Sequence, residues 1–125
     1  MAKILIVDDN KDEAETLARF LVAANHQVTT ASNGQNALVE VINNKPDVIL
    51  LDLIMPQMDG PSFLEVIRSY LRLQSLPVVV LTGLPDSPMV DRARVLKVNT
   101  TLVKGAASTD DILKALEQAL VTVPG

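Results

Sequence analysis

Five short apolar runs recur along this chain, and between them lie longer stretches whose apolar residues fall at helical spacing. No other feature narrows the possible folds as far, because strands that alternate with helices pair in parallel through helical crossovers. The runs are KILIV (3–7), HQVTTA (26–31), DVILL (47–51), PVVVL (77–81) and TTLV (100–103). The first, third and fourth are almost wholly apolar, as strands covered on both faces are. The second is more polar and suits an edge of the sheet.

The helical stretches carry their own punctuation. The first has Ala14, Leu17, Leu21 and Ala24 at helical spacing, opened by Asn10 with Glu13 three residues later, a capping-box pattern. The second sets Leu38, Val41 and Ile42 behind Ser32-Asn33-Gly34. The third has Phe63, Leu64, Ile67 and Leu71, with Pro61 just inside its start. The fourth begins near Asp86-Ser87-Pro88 with Val90, Val95 and Leu96. The last runs from Ser108 with Leu113, Leu116 and Leu120 on one face. Together these predict an α/β three-layer sandwich: a five-stranded parallel sheet in the flavodoxin-like order 2-1-3-4-5, with five helices and right-handed connections. At 125 residues, 48% apolar and 21% charged, the chain suits one domain over 1–125 with a real core. The tail 121–125, VTVPG, is where a longer natural chain could continue.

Several function classes drop out early. A net charge of −4 opposes direct nucleic-acid binding, which needs a basic face. There is no cysteine, so thiolate chemistry and Cys-based zinc sites are excluded. No apolar run approaches a membrane span, and the N-terminal stretch is too short for a signal-peptide core. A cytoplasmic protein without membrane contact is expected.

Ligands of open α/β sheets bind beyond the carboxyl ends of the strands, where strand order reverses. At those ends stand Asp8-Asp9, Asp52, Thr82 and Lys104. In the predicted order the first and third strands are neighbours at the reversal, so three carboxylates converge. Two unit charges about 4 Å apart repel by roughly 4 kcal/mol at an effective dielectric near 20. A hard divalent ion such as Mg²⁺ answers that repulsion. Lys104 can pair with a phosphate and the Thr82 hydroxyl can donate to a phosphoryl oxygen. A carboxylate nucleophile, a metal, a lysine and a hydroxyl are the parts needed to form an aspartyl phosphate. Taken singly, each residue has a plainer reading: Asp8-Asp9 as helix-start residues, Thr82-Gly83 as a strand exit, Lys104 as a solvated lysine. Asp59-Gly60 reads as a turn feeding the third helix. His26 reads as a strand-edge residue, Met55 and Met58 as packing, and Arg92, Arg94 and Lys97 as a solvated helix face.

With VDDN after the first strand, LLDLIMPQMDG around the third, VVVLTG at the fourth and LVK at the fifth, the chain resembles a response-regulator receiver domain of two-component signalling. The resemblance covers essentially the whole chain. It implies that Asp52 is the phosphoacceptor and that Mg²⁺ is held by Asp9, Asp52 and the backbone carbonyl of Ile54, with Asp8 acting largely through water. Thr82 would be the switch hydroxyl and Lys104 the phosphoryl-pairing cation. A histidine kinase or histidine phosphotransfer protein would donate the phosphoryl group. An effector protein or a covalently attached output domain would read the result. Such a module is not a conventional enzyme.

Three positions depart from the family pattern. Thr101 stands where an aromatic is usual, Gly105 follows Lys104 in place of proline, and Lys97-Val98 replace a common Gly-Ala pair. All fall between the fourth helix and the start of the fifth, so the chemistry is expected to be intact and the output surface idiosyncratic. Ile54 and Leu84, two residues past Asp52 and Thr82, are apolar and cannot orient a hydrolytic water, which predicts slow self-dephosphorylation. Two rival readings are a degenerate receiver acting as a scaffold and an aspartyl-nucleophile phosphatase. The latter class wants a second Asp two residues past the nucleophile, where this chain has Ile54.

Overall fold

The computed structural model describes residues 1–121; residues 122–125, most of the expected tail, lie outside them. The elements run β1 (Lys3–Val7), α1 (Lys11–Ala23), β2 (Gln27–Ala31), α2 (Gly34–Asn43), β3 (Val48–Leu51), α3 (Gly60–Ser69), a 3-10 turn (Leu71–Leu73), β4 (Val78–Thr82), α4 (Pro88–Val95), β5 (Thr100–Val103) and α5 (Thr109–Val121). The five strands form one parallel sheet in the order β2-β1-β3-β4-β5, as the apolar runs predict.

Alternation along the strands divides the core into two layers. Leu5, Val7, Ile49, Leu51, Val78 and Val80 point to one face, where α2, α3 and α4 cover them with Ala37, Val41, Phe63, Leu64, Ile67, Val90 and Ala93. Ile4, Ile6, Val48, Leu50, Val79 and Leu81 point to the other, against Ala14, Leu17 and Leu21 of α1 and Ile112, Leu116 and Ala119 of α5. Strands buried on both faces need apolar residues at every position, which is why β1, β3 and β4 read as unbroken runs. The edge strand β2 alternates less and is largely exposed.

The helices depart from their expected apolar faces in four places. Leu71 does not continue α3: the helix stops at Ser69, Tyr70 turns extended, and Leu71 is 87% exposed while Leu73 is buried in the following turn. The Arg68 guanidinium sets this break. It donates to the carbonyls of Leu73 at 3.1 Å and Leu76 at 2.8 Å, folding the chain back beneath the helix end. Its Nε and Nη2 also reach the carbonyls of Leu96 at 2.9 Å and Lys97 at 3.3 Å, at the end of α4. In α4 the sheet-facing pair is Val90 and Ala93, and Val95 is 81% exposed. In α5, Ile112, Leu116 and Ala119 are buried while Leu113 and Leu120 sit only half-buried, and in α2 Ala37 takes the inward place expected of Ile42. Alanine carries little apolar weight in a sequence pattern, yet it lets a helix approach the sheet closely.

Candidate functional site

The backbone ladder carries on past the strand ends and so fixes the acidic residues. Asp8 N–H donates to the Ala31 carbonyl at 3.0 Å, and Asp52 N–H donates to the Val7 carbonyl at 2.9 Å. Among the described residues the buried polar side chains are Asp8, Asp52 and Thr82, at 4%, 6% and 0% exposure. All three stand at the carboxyl ends of central strands. That a β core admits polar groups only at this rim marks it as the chemical centre of the molecule.

One oxygen each from Asp8, Asp9 and the Asp52 carboxylate lie within 4.8 Å of one another, Asp9 being exposed. Lys104, at the end of β5, reaches into the cluster. Its Nζ is 3.1 Å from Asp8 Oδ2, 3.2 Å from Asp52 Oδ2 and 3.2 Å from Glu13 Oε2. The lysine main chain is tied in turn, donating from its N–H to the Thr82 carbonyl at 2.8 Å. Asp52 Oδ1 accepts the Ile54 N–H at 3.1 Å, and the Thr82 hydroxyl accepts the Leu84 N–H at 3.1 Å, leaving its own proton free to donate.

Electrostatics follow from this packing. Burial pushes the Asp52 carboxyl above its ordinary value; the Ile54 N–H and Lys104 oppose that rise, and Asp8 adds to it. Burial by itself would lower the Lys104 ammonium. Asp52, Asp8 and Glu13 outweigh it and hold the group above the usual lysine range. Three carboxylates touch the Lys104 ammonium and Asp9 lies beside them, a local charge of −3 (four negative, one positive). Hard oxygen donors with excess negative charge suit a divalent cation of the Mg²⁺ kind, so the residues present fit such an ion.

The loop between Asp52 and α3 is held to one geometry. Asp59 caps α3, its carboxylate accepting the Ser62 N–H at 2.8 Å, and Gly60 N–H donates to the Leu53 carbonyl at 2.9 Å. A Cβ at Gly60 would lie 2.7 Å from Leu53 Cα and 3.1 Å from the Asp52 carbonyl oxygen. Gly60 is therefore required by close approach, and the turn expected at Asp59-Gly60 is present. The flanking methionines pack as expected: Met55 is buried, and Met58 lies against the core and against Gly34.

The rim thus gathers Asp8, Asp9, Asp52 and Lys104 directly, with Thr82 and Ile54 joined to it through the backbone. Thr101 lies elsewhere, within β5 and three residues before Lys104, lining a groove of about 650 Å³ between β5 and α5 with Val103, Ala107, Asp111, Ala115 and Ala119. His26 stays away from the rim, its Nδ1 accepting the Ala2 N–H at 3.2 Å and its Nε2 3.3 Å from Glu117. Arg92, Arg94 and Lys97 are exposed, as expected. Arg92 is paired with Glu65 at 3.3 Å and Asp59 at 3.7 Å. Glu13 is the site residue that sequence reasoning missed. Its place in the first turn after Asp8-Asp9 was the available signal, since that turn must start at the same rim.

A doubly wound parallel sheet with an acidic cluster and a lysine at its switch point defines a class of small α/β signalling modules. The model of the response regulator receiver domain matches residues 4–117, and the chain belongs to that family. It is 30% identical over 116 residues to the gliding motility regulatory protein of Myxococcus xanthus, covering 93% of this chain and 15% of that relative. It is 35% identical over 82 residues to protein PilH of Pseudomonas aeruginosa, covering 66% of this chain and 68% of PilH. Among solved structures it superposes on the chemotaxis response regulator CheY4 of Vibrio cholerae with a TM-score of 0.86 at 30% identity, covering 95% of this chain and 98% of that one. The chain thus spans a small part of the Myxococcus protein and nearly all of CheY4. Among the described residues no helix is long and apolar enough to cross a membrane.

Proposed function

We propose that residues 1–125 act as a single receiver domain that takes a phosphoryl group on Asp52 from a histidine kinase or histidine phosphotransfer protein, in the cytoplasm and with Mg²⁺. One Asp52 oxygen bonds to phosphorus while the P–N bond of phosphohistidine breaks, its electron pair leaving with the imidazole. The observation that carries this reading is the Lys104 ammonium held between Asp8 and Asp52, at 3.1 and 3.2 Å, on buried strand tips. A fixed cation beside a carboxylate neutralises charge that grows as phosphoryl oxygens approach, and such transfers depend mostly on position and charge. The set Asp8, Asp9, Asp52 and the Ile54 carbonyl would hold Mg²⁺, which supplies further neutralisation when bound. Thr82 would donate its free hydroxyl proton to a phosphoryl oxygen. The modified domain would change its binding to an effector protein or an attached output domain, without acting as a conventional enzyme on other substrates.

A scaffold reading also has support, since Thr101 lacks the bulk to pack as the usual aromatic does and leaves the groove beside β5. Incubation with acetyl phosphate and Mg²⁺ separates the two. Intact-mass analysis should show one added phosphoryl group, absent in Asp52→Asn and absent with EDTA. A parent protein that never gains the group leaves the scaffold reading standing. Turnover of a general phosphate ester would instead favour a phosphatase.

A further inference from the structure

An ammonium has three N–H groups. In Lys104 all three are taken by carboxylates: Asp8 Oδ2 at 3.1 Å, Asp52 Oδ2 at 3.2 Å and Glu13 Oε2 at 3.2 Å. A phosphoryl oxygen on Asp52 can be bound by Lys104 only if one of these gives way. The three differ in how readily they can. The side chains of Asp8 and Asp52 are 4% and 7% exposed on strand tips, whereas that of Glu13 is 52% exposed on a flexible arm from α1.

The caps of α1 and α5 show why Glu13 is available. At α5 the box is reciprocal: Ser108 Oγ accepts the Asp111 N–H at 3.0 Å, and Asp111 Oδ2 accepts the Ser108 N–H at 2.9 Å. At α1 only half of it forms. Asn10 Oδ1 accepts the Glu13 N–H at 3.1 Å, but the Asn10 N–H goes to Asp8 Oδ1 at 2.9 Å. Asp8 has taken the bond that would draw the Glu13 carboxylate back to its own helix end, and that carboxylate turns to Lys104.

We propose that Glu13 holds, in the unmodified protein, the Lys104 donor that an incoming phosphoryl oxygen takes, and that this competition holds back phosphorylation of Asp52. Glu13 is then a positioning residue acting through Lys104, and the inference rests on the phosphoacceptor reading of Asp52. On arrival of the phosphoryl group the Glu13 side chain swings into solvent. Its opposition is felt in the binding of the donor's anionic group and little in the bond exchange itself.

Acetyl phosphate with Mg²⁺ provides the test. An Asp52 oxygen bonds to phosphorus, the P–O bond to the acetyl oxygen breaks, and acetate leaves with the electron pair. Glu13→Gln keeps the size of the side chain and the N–H that bonds Asn10, and thermal unfolding followed by circular dichroism checks that it folds. It should reach half-maximal labelling rate at about fivefold lower donor concentration, the scale of one solvent-accessible ion pair, with the saturating rate little changed. Beryllofluoride with Mg²⁺, a non-transferable phosphoryl mimic, should bind Glu13→Gln more tightly by a similar factor. In the parent it should move the Glu13 side-chain carboxyl carbon resonance toward that of a solvated carboxylate. Glu13→Asp, whose shorter arm withdraws the charge from Lys104, should shift in the same direction as Glu13→Gln. A labelled parent with Glu13→Gln unchanged or less readily labelled overturns this inference and leaves the phosphoacceptor reading intact. A parent that takes no phosphoryl group overturns both.

Discussion

β3 and β5 both deliver a functional residue to the same rim of the sheet, yet they are built differently. β3 is a central strand with every residue at 2% exposure or less, and the loop that follows it is pinned by Gly60 against Leu53 and Asp52. β5 is an edge strand whose residues are all half-buried, beside an open groove. The loop after it turns at Gly105 with φ of 84°, and a Cβ there would meet nothing within 4 Å. The carboxylate is thus held in one place by packing, while the lysine is placed chiefly by charge and by its backbone bond to Thr82. Of the two sides of this rim, the acceptor side is the more tightly packed.

That contrast can be broken most sharply at Gly60. Gly60→Ala drives a methyl group into backbone and should cost about 3 kcal/mol, read from urea unfolding, with loss of labelling at Asp52. On the other side of the rim, Lys104→Ala leaves three carboxylates without their shared cation and should cost about 2 kcal/mol. The same loss is reachable without mutation. Because folding raises the Lys104 pKa, its contribution is complete below the ordinary lysine value of 10.5 and is lost as pH rises beyond it. Thermal midpoints measured through that alkaline range should fall more steeply for the parent than for Lys104→Ala.

Smaller effects belong to the β5 side. Gly105→Ala places a side chain at positive φ in open space and should cost about 1 kcal/mol, a conformational penalty without a clash. Lys97, just past the end of α4, already bears that penalty at φ of 64°, so Lys97→Gly should gain about 1 kcal/mol in the same unfolding assay. Thr101→Tyr has the groove to enter and should change stability by less than about 0.5 kcal/mol. A large loss there would show that the β5 side is as tightly determined as the β3 side.

What the sequence revealed and what it hid divide along physical lines. The five strands, their order and the convergence of Asp8, Asp9 and Asp52 were legible because central strands buried on both faces admit few polar residues, and these stand at their ends; Lys104 was legible as the residue that closes the edge strand at the same rim. Glu13 was legible only as a neighbour of the rim, because its pattern spoke for a capping box and nothing local shows that Asp8 claims the Asn10 N–H. Ala37, Ala93 and Ala119 were hidden as core residues because close helix approach selects small side chains, which leave a faint periodic signal. The end of α3 was hidden because it depends on the Arg68 guanidinium turning back to the carbonyls of Leu73 and Leu76, which no periodic pattern records. The departure at Lys97 shows in the backbone, where the residue holds a φ of 64° that a glycine adopts without strain.

Arg68 thereby joins the end of α3, the 3-10 turn and the end of α4 through carbonyls of four residues, Leu73, Leu76, Leu96 and Lys97. Segments knotted by one side chain are released together when it lets go. Amide protons at these three junctions should therefore exchange with deuterium at a common opening free energy, below that of the central strands, so that this corner behaves as one cooperative unit of local unfolding.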